Sequence, residues 1–262
     1  MLSYPSAISL SSRSLTHLAE LLRTHRRARR SRWRRLDPGR QALLVLAHLR
    51  NGDTPARLAA GFGVGATTAW RYIREAVDLL AATAPTLAEA MVGIARLAYA
   101  IVDGTLIRTD RLSGSADRRY YAGKHRHHGV NVQVIADPAG RLKWISPALP
   151  GSTHDLSAAR EHTIIDALAE AQVMTFADKG YQGAGGTVRT PFKRHHRRPP
   201  LSRNQKEVNR AHARIRGIGE RAIATLKRWQ LLAKLRCCPQ RASALLAAIL
   251  VLQLIEEQRT AS

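Results

Sequence analysis

"LAYAIVDGTLI", residues 97–107, and "VMTFADKGYQG", residues 173–183, decide the fold. Each opens with an apolar run of strand length, and each ends that run on a single carboxylate, Asp103 or Asp178, shortly before a glycine. Between them, "GVNVQVIADPAGRLKWISPAL" (129–149) holds two alternating runs joined by Asp137-Pro138-Ala139-Gly140, the signal of a β-hairpin. "THDLSAAREHTIIDALAEA" (153–171) reads as one helix capped by Ser152 or Thr153. "TVRTPFKR" (187–194) reads as a further strand, 207–232 as a long helix and about 242–257 as a last apolar helix. The order from residue 97 is β-β-β-α-β-β-α-α, a mixed α/β layer fold.

Upstream the pattern is all-helical. "DPGRQALLVLAHLRNG" (37–52) offers Asp37 as N-cap, Pro38 in the first turn and Asn51-Gly52 as the stop. Thr54 and Pro55 open a short helix with Leu58, Ala59 and Phe62 on its apolar face, and Gly63-Val64-Gly65 makes a tight turn. A second helix over 66–80 repeats Ala69, Ile73, Val77 and Leu80 at three-and-four spacing. Short helix, glycine turn and helix form a helix-turn-helix, whose second helix would offer Thr67, Thr68, Arg71 and Arg74 to a major groove. An ordinary helical hairpin gives the same pattern. The chain thus divides into a basic arm (1–36), a helix-turn-helix domain (37–83), a linker (84–96) and an α/β domain (97–262).

Charge names the partner class. Lys+Arg 42 against Asp+Glu 19 gives 42 − 19 = +23 over 262 residues, and 35 of the cations are arginines. Arginine's planar fork suits phosphates and guanine edges, so a polyanion is the expected partner and nucleic acid the first choice. It is double-stranded DNA if the helix-turn-helix enters a major groove; a ribosomal-type or storage protein, basic throughout, is the plain alternative. Nine arginines fall in the first 36 residues, as in "RTHRRARRSRWRR", a segment suited to lying on DNA phosphates. The longest apolar stretch, "ALLAAILVLQLI" (244–255), is short of the roughly 20 residues of a bilayer span. The N-terminus has no secretory pattern, and the adjacent Cys237 and Cys238 cannot form an ordinary bridge to each other, so a reducing, cytoplasmic setting is expected.

If 97–107 and 173–178 pair as neighbours, Asp103 and Asp178 meet at one sheet edge, where two buried like charges are costly without a cation. A third acid, Glu220, sits in "ARIRGIGERAIATLKRW" (213–229). Arg216, Glu220 and Lys227 are spaced by 4 and 7, on one helix face, which is a surface ion-pair ladder or part of a site. Three carboxylates would suit two Mg²⁺ or Mn²⁺ ions for phosphoryl displacement.

The segments "VDGTLIR", "YYAGKHRHHGVNVQVIADPAGR", "LPGSTHD", "FADKGYQG" and "GERAIATLKRW" run in one order over 97–232. In them the chain resembles DDE-type transposases with a ribonuclease-H-like core, of the insertion-sequence-five group and its Harbinger-like relatives. The resemblance implies that Asp103, Asp178 and Glu220 are catalytic and bind the metals, while Arg216 and Lys227 hold phosphates. It also implies a DNA transposase that binds element ends, hydrolyses a phosphodiester to free a 3′-hydroxyl and joins that hydroxyl to target DNA. A homodimer or larger assembly on DNA, associated with the nucleoid, follows from the same resemblance. The wider superfamily carries a tyrosine where this chain has Ala213.

Other candidates read more plainly. The resemblance also carries Asp155, in "GSTHD", as a recurrent element outside the trio, and read physically it fits the first turn of a helix capped by Ser152 or Thr153. In "KHRHH" (124–128) Lys124 and Arg126 suit DNA contact better than zinc, because adjacent imidazoles lack a tetrahedral ligand set. "FKRHHRRPP" (192–200) reads as a loop touching DNA, and Trp229 as core. Two rivals stay open: a nuclease of this fold that never integrates DNA, and a non-catalytic DNA-binding regulator derived from a transposase.

Overall fold

The computed structural model describes residues 8–31, 34–111, 117–194, 199–236 and 238–259. The chain gathers into two compact units, 1–84 with 226–235 and 241–262, and 85–225 with 236–240.

The first unit is helical. Helices α1 (Ser12–Ala28), α2 (Pro38–Asn51), α3 (Pro55–Phe62) and α4 (Ala66–Ala81) pack with the C-terminal α10 (Pro239–Arg259). The caps follow the sequence: Asp37 accepts from the Arg40 amide at 3.0 Å and Thr54 from the Arg57 amide at 3.3 Å. Gly52 and Gly63 end α2 and α3 in the left-handed region, which costs glycine little. Leu18, Leu22, Leu44, Leu49, Leu58 and Leu80 are fully buried.

Residues 12–28 of the basic N-terminal segment form a helix, and Leu18 and Leu22, one turn apart, give it an inner face. Residues 1–7, 32 and 33 of that arm lie outside the described residues. The C-terminal helix, read as the end of the α/β domain, belongs to the first unit. Glu256 accepts from the Ser11 amide at 3.0 Å and from the Ser14 hydroxyl, and Arg241 pairs with Asp78 at 2.7 Å. Trp229, fully buried as expected, donates its indole N–H to Gln253 at 3.1 Å. Among the described residues α10 alone has the length and composition to cross a membrane, and half of that stretch is buried inside the protein.

The second unit is built on one mixed sheet. Its elements are α5 (Leu87–Ile94), β1 (Ala100–Arg108), α6 (Asp117–Tyr120), β2 (Tyr121–Ala122), β3 (His127–Ala136), β4 (Leu142–Ile145), β5 (Leu149–Pro150), α7 (Asp155–Glu161), α8 (Ile164–Glu170), β6 (Thr175–Ala177), β7 (Val188–Arg189) and α9 (Arg203–Lys227). The strand order is β2-β3-β1-β6-β7, and β4 and β5 also pair with β3. Asp137 closes the predicted hairpin by accepting from the Ala139 and Arg141 amides, each at 2.9 Å. This is a mixed α/β, ribonuclease-H-like core beside a helical N-terminal region.

Local differences have local causes. Residues 84–96 are less a linker than a capped helix, with Thr86 and Glu89 forming a reciprocal capping box. The helix read over 153–171 is two, because Thr163 at φ 55° breaks it. The strand read over 187–194 keeps two residues, since Pro191 has no N–H for a ladder and the Phe192 amide donates to Asn209. The long helix ends at Lys227 rather than at 232, followed by a 3₁₀ turn at Gln230–Ala233. Residues 195–198 of the basic loop and Cys237 lie outside the described residues.

Candidate active site and DNA-binding face

Strands β1 and β6 are parallel neighbours with Ala100 opposite Thr175, Ile101 opposite Phe176 and Val102 opposite Ala177. The next residues in that register are Asp103 and Asp178. The two acids therefore stand level, Asp178 just past the end of β6 but Asp103 inside β1, which, against expectation, does not end there: its pairing with β3 carries it on to Arg108. Each binds a nearby backbone amide: Asp103 accepts from Gly104 at 2.9 Å, and Asp178 from Gly180 at 2.7 Å. Helix α9 packs across β1 through Gly219, where an added Cβ would lie 2.6 Å from Ile101. One turn earlier, the Arg216 charge acts on Asp103.

Burial pushes the Asp103 carboxyl up to about 6, Arg216 opposes the rise, and the charges of Asp178 and Asp155 add to it. The pocket thus crowds carboxylates. The carboxylate oxygens of Asp103, Asp178 and Asp155 are what hard divalent ions prefer, and a bound cation would relieve the repulsion that holds Asp103 toward its neutral form. The chemistry of the donor set fits Mg²⁺ or Mn²⁺.

Glu220 is exposed on α9, one turn beyond Arg216. Among the described residues no group of three or more His, Cys, Asp or Glu side chains is gathered to hold a metal ion. The structure therefore brings Asp103 and Asp178 together without assembling Glu220 into a cage with them. Lys227, also exposed, ends α9 and clusters with the first unit.

Asp155 sits in the first turn of α7 as expected, but His154 rather than Ser152 or Thr153 takes the cap position, and the Asp155 carboxylate also accepts from Asn131 Nδ2 at 2.9 Å and lies 3.7 Å from Lys124 Nζ. Asn131 belongs to a buried relay: the Tyr181 hydroxyl donates to Gln133 Oε1, and Gln133 Nε2 donates to Asn131 Oδ1 at 2.8 Å. Burial raises the Tyr181 phenol well above its ordinary value, and the charges of Asp155, Asp103 and Asp178 raise it further, so it stays protonated as a donor. The sequence reading passed over Asn131, Gln133 and Tyr181. Two amides two residues apart in an otherwise apolar strand, "VNVQV" (130–134), were the available signal.

A cleft of about 420 Å³ opens beside these acids, lined by Gly104, Lys124, Asn131, Asp155, Asp178 and Gly180 among others. Lys124 and Arg126 are both exposed, with Arg126 in the left-handed region at φ 53°. His128 of the same cluster pairs with Asp117 at 2.9 Å.

The first unit carries its own basic face. On α4, Thr67, Arg71 and Arg74 are exposed and Thr68 is partly so. Trp70, 48% exposed, lies among them with the Arg74 guanidinium 5.4 Å from its ring centre. Arg29 and Arg34 join Trp70, Arg71 and Arg74 around a cleft of about 490 Å³. Trp70 was not among the residues picked from sequence. Its place between Thr68 and Arg71 on an amphipathic helix was the clue.

Comparison with known families now bears on these two regions. The family model for DDE superfamily endonucleases matches residues 102–253, more than half of the chain. The model for the helix-turn-helix of DDE superfamily endonucleases matches residues 34–86. No curated protein matches the chain.

Proposed function

Because the chain belongs to the DDE superfamily of endonucleases, as a DNA-binding nuclease of the transposase type, we propose that it moves a DNA element by cutting the element's ends and joining them to target DNA. Asp103 and Asp178, brought level on the neighbouring parallel strands β1 and β6, are the observation that supports this reading. In it Asp103 and Asp178, joined by Glu220 from α9, would hold two divalent ions, Mg²⁺ or Mn²⁺. Such ions, when bound, activate the attacking oxygen and stabilise the leaving one.

The chain's own groups do the rest. The sheet fixes the two aspartates, so the phosphodiester meets a rigid pair of carboxylates. Glu220, one helical turn from Arg216, completes the donor set from α9. Arg216, Lys124, Arg126 and Lys227 hold phosphate oxygens, and Thr67, Thr68, Arg71 and Arg74 read the element's ends from α4. Water attacks first and leaves a 3′-hydroxyl; that hydroxyl then attacks target DNA by direct transesterification. Two ends must be joined in one event, which calls for a homodimer or larger assembly on DNA, working in the cytoplasm at the nucleoid.

The test is strand transfer. Labelled duplexes taken from the DNA flanking the coding sequence, pre-cut to expose a 3′-hydroxyl, are incubated with a target plasmid and Mg²⁺. Covalent joining of label to plasmid is expected. Cleavage of uncut duplex with no joining from the pre-cut one would leave a nuclease and sink the transposition reading.

A further inference from the structure

Asp155 lies in the first turn of α7, where a carboxylate suits the helix dipole, but the cap is not its own. His154 supplies the cap, and the charge of Asp155 adds to the repulsion on Asp103. Its carboxylate is nevertheless held firmly, through Asn131, by a relay whose Gln133 and Tyr181 are fully buried. Asn131 Nδ2 also donates to the Thr153 carbonyl at 2.9 Å, so one amide grips both the loop before α7 and its first acid.

Two glycines make room for it. A Cβ on Gly104, next to Asp103, would lie 2.3 Å from Asp155 Oδ1, and one on Gly180 would lie 2.8 Å from Asp178 Oδ1 and 3.3 Å from Asp155 Oδ2. The Asp155 carboxylate therefore occupies the space where side chains following Asp103 and Asp178 would stand. Among the described residues its ion pair is with Lys124, which is 69% exposed on the wall of the same cleft. So exposed a pair contributes little to stability, about 1 kcal/mol or less. What the pair can do is set the direction of the ammonium.

We propose that Asp155 is a positioning residue for DNA cleavage, presented by the Tyr181–Gln133–Asn131 relay, which aims Lys124 at the phosphate beside Asp178. The inference rests on the nuclease reading above. The Lys124 ammonium touches a non-bridging oxygen of the scissile phosphate, and Asp155 acts through Lys124. Overall DNA affinity depends little on either residue, because many other cations of a chain of net charge +23 bind the backbone.

The experiment measures Mg²⁺-dependent cleavage of labelled duplex from the flanking DNA by the full chain and by Asp155→Asn, Lys124→Met and the double variant. Mn²⁺ affinity of each protein is measured by calorimetry without DNA. Each single change is expected to lower kcat about tenfold to hundredfold, as misplacement of a catalytic partner does. KM and Mn²⁺ affinity should stay within about twofold, and the double variant should be no worse than the poorer single one, the mark of two residues acting as a unit. Unchanged kcat in Lys124→Met overturns the proposal, whatever Asp155→Asn does to folding, because Lys124 is a surface residue. Multiplying defects in the double variant overturn it too, as does lost Mn²⁺ affinity in Asp155→Asn. Absence of metal-dependent cleavage in the wild type, or wild-type cleavage by Asp178→Asn, instead removes the nuclease reading itself.

Discussion

Replacing Asp103 with asparagine should stabilise the metal-free protein at alkaline pH. Burial and neighbouring acids raise this carboxyl from 3.8 to about 6, so folding favours its neutral form. The sign follows from linkage: the group's stabilising contribution is fully present below about pH 3.8 and is lost as pH rises through about 6. Above that, the ionised carboxylate costs stability. The full rise corresponds to about 3 kcal/mol, and solvent reaching the half-buried carboxyl reduces this to about 1–3 kcal/mol. Asparagine keeps an oxygen to accept from the Gly104 amide but carries no charge. At about 2–4 °C per kcal/mol, Tm in EDTA at pH 8 should rise by several degrees, and the gain should shrink steadily toward pH 4. Added Mg²⁺ should raise the wild-type Tm at pH 8 and leave the variant nearly unmoved. Urea unfolding and thermal scans at both pH values make the comparison. A variant that is less stable than wild type in EDTA at pH 8, or a difference independent of pH, would refute the crowded-carboxylate account.

Three other outcomes follow from the same geometry. Tyr181→Phe leaves the buried Gln133 oxygen without its hydroxyl donor and should cost about 1–3 kcal/mol in urea unfolding, with little change in DNA affinity. Arg71→Ala, on the exposed side of α4, should weaken duplex binding measured by fluorescence anisotropy. If Arg71 contacts a phosphate, the loss is uniform across sequences and the salt slope falls by about one; if it reads a base, the loss is about 1–3 kcal/mol and confined to the cognate end. Trp229→Ala empties a fully buried site that ties 226–235 to α10 and should lower stability by about 3–5 kcal/mol in denaturant titration.

Much of the second unit could be read from residues alone, because its signals are local. Two apolar runs ending in aspartate became parallel neighbours whose register carries Asp103 and Asp178 to the same level. The caps at Asp37 and Thr54 and the Asp137 turn held for the same reason: a side chain one to four residues away satisfies the backbone. What escaped the sequence was set by distant partners. The arginine-rich start hid the inner face of α1, since only two leucines one turn apart, Leu18 and Leu22, anchor it. Nothing near residue 256 announces that Glu256 will accept from Ser11. The first-turn place of Asp155 was legible because it is local, whereas its partners Asn131 and Lys124 come from β3 and from the loop before it. Glu220 was found by its spacing from Arg216, and its place relative to the two aspartates is a matter of side-chain reach that helical periodicity does not determine.

The most direct test of the carboxylate chemistry pairs the wild type with Glu220→Gln on a labelled duplex from the flanking DNA, with and without Mg²⁺. The account predicts nicking by the wild type only when Mg²⁺ is present, and loss of that nicking in the variant with duplex binding retained. Equal nicking by both proteins, or binding without cleavage by both, would contradict it.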